Sequence, residues 1–301
     1  VTIAADPALA ADPALAADAR SERRFFLALS LPALLIVGLA AILPILWIIR
    51  QSFLTTGGEY TVGNYEKVLS SGLTWSALVT TLELSLGTLA ICILLGTPLA
   101  LALASARPRV ANLLMALVML PLWTSILVRT YGWLVLLRRD GLINAALTGS
   151  GLTGEPLPLV YNFTGTLIGM VHYMLPLFLL PVYAAMRDID ANLVRASASM
   201  GATLGQTIRT VILPLSTGGI FSGSLIVFIY SIGFFITPAV LGGGKVNPLS
   251  IRIERTLSTF QDWGSASVLG ILLLVLMALI GVMFLVARRL VARNKVGAAH
   301  A

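Results

Sequence analysis

Charge is what this sequence has least of. Only 11% of its 301 residues are Asp, Glu, Lys or Arg, against roughly 25% in a soluble domain. Hydrophobic residues make up 57%, and the mean hydropathy is +0.94. That balance places the chain among integral membrane proteins. Cysteine is nearly missing: Cys92 stands alone inside an apolar run, which excludes an intrachain disulfide. The two histidines, His172 and His300, are too few and too far apart for a metal site. There is no P-loop, no G-x-S-x-G, no H-E-x-x-H and no G-x-G-x-x-G opening a helix after a strand. "LGGGK", Leu241 to Lys245, lacks the Walker spacing and reads as a loop. The net charge of +7 comes from basic residues scattered between apolar runs, so it reads as membrane topology and not as a nucleic-acid surface.

What is present is a series of long uncharged apolar runs. They are Phe25 to Ile49, Leu84 to Ser105, Val110 to Val128, Phe163 to Met186, Leu215 to Leu241 and Ser265 to Ala287. At about 1.5 Å per residue, each is long enough for a hydrocarbon core of roughly 30 Å. A lone strand cannot satisfy its backbone in lipid, so six transmembrane helices are expected in an all-α protein. Residues 25–290 would form the membrane domain. Residues 1–24, with "AADPAL" written twice, cannot build a core and read as a disordered tail. That tail has no apolar h-region, and the run after Arg23 and Arg24 is too long for one, so it reads as a retained first span. Residues 291–301 would be a C-terminal tail.

Orientation follows from Lys and Arg. With the N-terminus inside, twelve of the 20 basic residues lie on inner segments and eight on outer ones. The inner turns, such as "ARPRV" with Arg107 and Arg109, are short and dense in charge. Both termini are therefore expected in the cytoplasm. Pro121, Pro176, Pro181 and Pro238 fall within spans, where freed carbonyls need a neighbouring helix or a cavity.

Between the fourth and fifth spans lies a polar segment, "RASASMGATLGQTIRTVILPLS", Arg195 to Ser216. Asp190 is placed to cap a helix. Leu193, Ala196, Ser197 and Met200 then follow one helix face. Gly201 supplies a left-handed stop. Thr203 and Gln206 form a capping box for a second helix, on which Ile208, Val211, Ile212 and Leu215 repeat the spacing, and Pro214 bends it into the next span. The segment spells helix, glycine turn, helix. Such a hairpin could dock in a groove of a partner or lie as a connector on the membrane surface.

This segment resembles the "EAA" cytoplasmic loop of binding-protein-dependent ABC importer permeases. Ala196 matches the first Ala, Ser197 replaces the second, and Gly201 matches the Gly. Leu213 and Pro214 match the terminal LP, while Ile212 sits one position from the usual apolar slot. Arg195 stands where the family has Glu. Three further stretches, Pro121 to Asn144, His172 to Met186 and Gly233 to Lys245, are similar to spermidine/putrescine-type members. The resemblance implies a type I importer permease fold in the bacterial inner membrane. Its coupling loop, here 187–214 with Arg195, Ala196, Ser197, Met200, Gly201, Ala202, Leu213 and Pro214, would dock on an ATPase. It implies two ATPase subunits carrying ATP and Mg, a second homologous permease, a periplasmic solute-binding protein and a lipid bilayer. The chain itself would bind no cofactor.

Candidate path residues are fewer. Glu83 adjoins a long apolar run, where a carboxylate suits a cationic solute or is solvated at the interface. Phe228, Tyr230 and Phe234, with Phe235, could hold an ammonium through cation–π attraction or serve as packing. Where polyamine-transporting members often carry an acid, this chain has Phe234, which admits zwitterionic or other amine-bearing solutes. His172 reads as a packing residue. An ion-coupled secondary transporter would need several buried carboxylates or broken helices at matched positions of two halves, and an intramembrane enzyme would need a catalytic pair within the spans.

Overall fold

The structure is a computed structural model that describes residues 13–298, with side chains described at 25, 26 and 28–286. Helices account for nearly all of it, and the described residues contain no strand beyond a single bridge between Leu54 and Tyr60. Five helices are long and apolar enough to span a bilayer, and one bent helix pair makes a sixth crossing when it is counted as a single broken span.

Helix α1 (Pro13–Ser52) contains the first expected span and starts well before it. Residues 13–24, assigned to the tail by composition, continue the same helix, while 1–12 lie outside the described residues. The second crossing, α3 (Gly72–Ser105), also begins before its uncharged run. The charge-free run missed this because hydroxyls and Glu83 interrupt the apolar pattern. The hydroxyls are nevertheless core residues. Thr74, Thr81, Ser85 and Thr88 are buried with Ala77, Leu84 and Cys92 on one face. The Thr81 hydroxyl donates to the Ala77 carbonyl at 2.7 Å and accepts from the Leu249 amide at 2.9 Å. One side chain thus satisfies its own helix and ties down α12 (Leu249–Ser258).

The third span is not the straight helix expected over Val110 to Val128. Helix α4 (Pro108–Met119) tightens into a 3₁₀ turn at Leu120–Trp123, and α5 (Ile126–Leu137) restarts after a bend. The segments Pro108–Trp123 and Ile126–Gly149, the latter including α6 (Leu142–Gly149), differ in direction by 100°. Pro121 offers no amide to the turn above it, and Thr124 is extended, at φ −96° and ψ 152°. The fifth expected span is broken as well. Its helix α10 (Leu213–Ile232) stops at Gly233, and Ile236–Leu241 forms the short α11. Pro238 sits in the first turn of α11, where its missing amide costs no hydrogen bond. By contrast, α7 (Phe163–Arg187) runs unbroken through Pro176 and Pro181.

The bundle centre is α3, α7 and α10, with Met174, Phe178, Leu179, Val182, Val227 and Ile232 fully enclosed. The helices meet at glycines. A Cβ on Gly219 would lie 2.5 Å from the Pro181 carbonyl oxygen, and one on Gly223 would lie 2.8 Å from that of Phe178. This is the small-residue approach by which membrane helices gain dispersion contact. The last crossing, α13 (Trp263–Ala298), packs on α1 through Trp47 and Trp263, whose rings meet edge to face at 5.6 Å.

Candidate functional site

At one end of the bundle, the chain leaves α7 at Arg187 and re-enters at α10. The connection is the hairpin anticipated from its residues. Asp190 caps α8 (Ala191–Ser199), accepting from the Asn192 amide at 2.8 Å. Gly201 has φ +81°, and the Ala202 amide reaches back to the Ser197 carbonyl at 3.2 Å. Thr203 and Gln206 form a reciprocal capping box on α9 (Leu204–Thr207). A π-helical stretch, Ile208–Ile212, then joins α9 to α10, so the second arm and the fifth span form one continuous helical run. Pro214 cannot donate a backbone bond, and the wider turn just before it absorbs that loss without a break.

One contact in the hairpin was not foreseen. The hydroxyls of Ser197 and Thr207 lie 2.9 Å apart, both buried, and staple the two arms together. Ser197 therefore faces inward, although helical spacing grouped it on one face with Leu193, Ala196 and Met200. Leu193, Ala196 and Met200 do face outward, and with Leu204 they form an apolar knob on the hairpin surface. Met200 is 81% exposed. Arg195 lines a cavity of about 380 Å³ with Arg187, Ser105 and Ile212, where the ends of α3, α7 and α8 meet. Leu213 packs on the bundle core, and Ala202 and Pro214 are half-buried.

The path candidates separate in space. Glu83 lies on the α3 face opposite the buried stripe, in line with exposed Val79, Leu86 and Ala90. It is about 16 Å along the helix from Gly72, not at the helix start as its run implied. Phe228 is buried in the bundle against Phe284, with ring centroids 6.2 Å apart. Tyr230 is exposed on the bundle surface. Phe234, at the break between α10 and α11, meets Tyr173 at 5.0 Å. Tyr173 in turn carries the Arg129 guanidinium 4.8 Å above its ring. His172 packs edge to face on Trp133 at 5.4 Å. The two helix breaks thus meet on α7 through one aromatic cluster. Arg129 caps the first break, donating to the Thr124 carbonyl at 3.3 Å, while its Nε and Nη1 lack a partner. Sequence reading passed over Arg129 because its ring partner, Tyr173, comes from another helix.

The opposite end of the bundle is closed by short elements. Lys67 of α2 (Gly63–Leu69) pairs with Asp262 at 2.6 Å, and Asp262 also accepts from the Ser265 amide at the start of α13. Burial raises the Asp262 pKa, but hydrogen bonds from Lys67 and Ser265 and the Lys67 charge outweigh it and hold the carboxyl below its usual range. Among the described residues, no group of three or more His, Cys, Asp or Glu could hold a metal ion.

Residues 93–295 match the family described as "Binding-protein-dependent transport system inner membrane component". The spermidine/putrescine transport system permease protein PotB of Haemophilus influenzae is 33% identical over 262 residues, covering 84% of this chain and 90% of that one. PotB of Escherichia coli strain K12 is 31% identical, covering 82% and 92%. Among solved structures, a bacterial alginate ABC transporter in complex with an alginate-bound periplasmic protein superposes with a TM-score of 0.71 at 17% identity, covering 90% of this chain and 97% of that chain. The methionine ABC transporter MetNI, in an inward-facing form, gives 0.56 at 18% identity, covering 73% and 99%.

Proposed function

The chain belongs to the family of binding-protein-dependent transport system inner membrane components, and from that premise we propose how its two ends share the work of import. It is a transmembrane permease subunit of a type I ABC importer. Its solute is a polyamine-like or other amine-bearing compound, a reading that draws on its likeness to the spermidine/putrescine permeases. The hairpin end faces the cytoplasm, with both termini on that side.

The observation that carries the coupling role is the apolar knob on the stapled hairpin. Leu193, Ala196, Met200 and Leu204 are exposed on a rigid polar-backed turn, continuous with two central spans. A cleft on an ATPase subunit would bury that knob. Because α9 runs unbroken into α10, a displacement of the hairpin would reach the bundle centre as a rigid-body motion of α10 against α7. Two ATPase subunits with ATP and Mg, one on this hairpin and one on a second homologous permease, would supply that displacement. ATP chemistry would belong to them, since this chain supplies no phosphate-binding loop. A periplasmic binding protein would deliver the solute at the opposite end.

Co-reconstitution tests this. Vesicles holding this chain, its permease partner, the ATPase and the binding protein should take up putrescine or a related amine only with ATP inside the ATPase compartment. Uptake driven by an ion gradient without ATP would instead support an ion-coupled transporter.

A further inference from the structure

At the end away from the hairpin, a cavity of about 330 Å³ opens between α3 and α12, lined by Ser76, Thr80, Lys245, Asn247, Arg252 and Arg255. Three cations meet there. None forms an ion pair among the described residues, whose two pairs are Lys67–Asp262 and Arg138–Asp140. The backbone builds this grouping. Gly243 and Gly244, at φ +54° and +77°, turn the chain so that Lys245 comes back toward α12. Arg255 reaches the same turn: its Nη2 lies 3.8 Å from where a Gly244 Cβ would be. Arg252 is anchored by Nη2 donating to the Ser71 hydroxyl at 3.1 Å, while its Nε is buried and unpartnered. Asn247 donates Nδ2 to the Gly244 carbonyl at 2.8 Å and leaves Oδ1 buried and unpartnered. Glu254, on the same helix, does not line the cavity.

A buried donor and a buried acceptor without partners are costly unless something fills them. Here the donor side is charged three times over, which matches an anionic group through charge-assisted hydrogen bonds. The buried, unpartnered acceptor Asn247 Oδ1 matches a donor such as an ammonium. Deeper along the same exposed face of α3, three residues beyond Thr80, comes Glu83. A carboxylate is disfavoured against lipid, so this face turns toward water or a partner. The wall thus presents the cations beside Ser76 and Thr80, with an acid on α3 about 4.5 Å beyond Thr80 along the helix axis.

We propose that this cavity selects the solute, and that the solute is an amine that also carries a carboxylate. The proposal rests on the reading of the chain as an importer of amine-bearing compounds and narrows it. The carboxylate engages Lys245, Arg252 and Arg255, the amine faces Asn247 Oδ1 and then Glu83, and a plain polyamine is repelled at the cavity.

The test compares putrescine with γ-aminobutyrate, which keeps the four-carbon frame and exchanges one amine-bearing end for a carboxylate. Uptake of each is measured in vesicles holding the complete importer and its binding protein. The variant is Lys245→Gln with Arg255→Gln, two exposed side chains whose loss leaves the Arg252 anchor intact. The native importer should carry γ-aminobutyrate in preference to putrescine. The variant, which removes two of the three cations, should lose at least about tenfold of γ-aminobutyrate uptake, the size expected for a single charge-assisted hydrogen bond, with putrescine uptake unchanged or raised. Preferred carriage of putrescine by the native importer would overturn the proposal and leave the amine-importer reading standing. An equal loss for both probes would assign the cavity to packing or to a lipid headgroup and also overturn it. If neither probe is carried, while butyrate without an amine is, the amine-importer reading itself falls.

Discussion

Gly201 shows how much can rest on one missing Cβ. Its φ is +81°, yet nothing lies within 4 Å of where a Cβ would be. Substitution there changes backbone preference and removes no contact. Gly201→Val should strain the turn by about 1–3 kcal/mol and turn the Leu193–Met200 face away from its partner. Expected are normal insertion, reduced uptake and weakened stimulation of ATP hydrolysis by the binding protein. Both activities at native levels, with the variant fully assembled, would remove this hairpin from the coupling pathway. Glu83 is a different case, a carboxylate on an outward face. Glu83→Gln should lower uptake with assembly intact, as measured by transport per purified complex. Unchanged transport would return Glu83 to the role of a solvated surface group. Asp262 gives the pH dependence. Its carboxyl titrates below the ordinary range when folded. The stability it contributes is present above the unfolded pKa and is lost as pH falls through the lower folded value. Thermal melts of the detergent-solubilised chain should therefore show an acid-side loss of Tm that shrinks in Asp262→Asn. An identical acid profile for the two would rule out this contribution.

Among the described elements, α7 and α10 share the most extensive contact, and it offers its own control. The Pro181 carbonyl stands 2.5 Å from a Cβ placed on Gly219, with the Ala185 methyl equally near, whereas Gly218 has open space. A backbone oxygen on a packed helix cannot rotate away. Gly219→Ala should cost about 1–3 kcal/mol through overpacking, while Gly218→Ala should be neutral or slightly stabilising, since alanine favours helix. Size-exclusion profiles and melting temperatures of the two variants decide this, and equal behaviour would refute the packing model. The broken elements follow from the same chemistry. Pro121 and Gly233 open the helices at Thr124 and Phe234, and the breaks are tolerated because Arg129 and Ser250 donate to carbonyls there, at 3.3 and 2.9 Å.

Taken whole, the molecule has two unlike ends, a stapled hairpin with an apolar knob and a basic cavity framed by α3 and α12. If the hairpin is cytoplasmic, a Met200→Cys variant should react with an impermeant thiol reagent only after the membrane is opened. Thr56→Cys, on the other end, should react in intact cells. Cys92 is buried and would be replaced first. Labelling of Met200→Cys from outside would invert the orientation.

Composition alone decided that this chain lives in a membrane, because so few charges cannot cover a soluble surface. Local chemistry decided the hairpin: Asp190, Gly201, Thr203 and Gln206 act within a few residues of themselves, so their caps and turn were legible in order. The boundaries of α1 and α3 were not, since tertiary packing carries a helix past a hydroxyl both where the group is satisfied, as at Thr81, and where it is buried without a hydrogen-bond partner, as at Thr74, Ser85 and Thr88. The breaks at Thr124 and Phe234 needed the structure too, because a proline only permits a break and the surrounding helices determine whether one forms. The same holds for the Ser197–Thr207 staple, the Arg129–Tyr173 contact and the meeting of Lys245, Arg252 and Arg255. Each joins residues from separate elements, and only packing in three dimensions sets which side chains share a space.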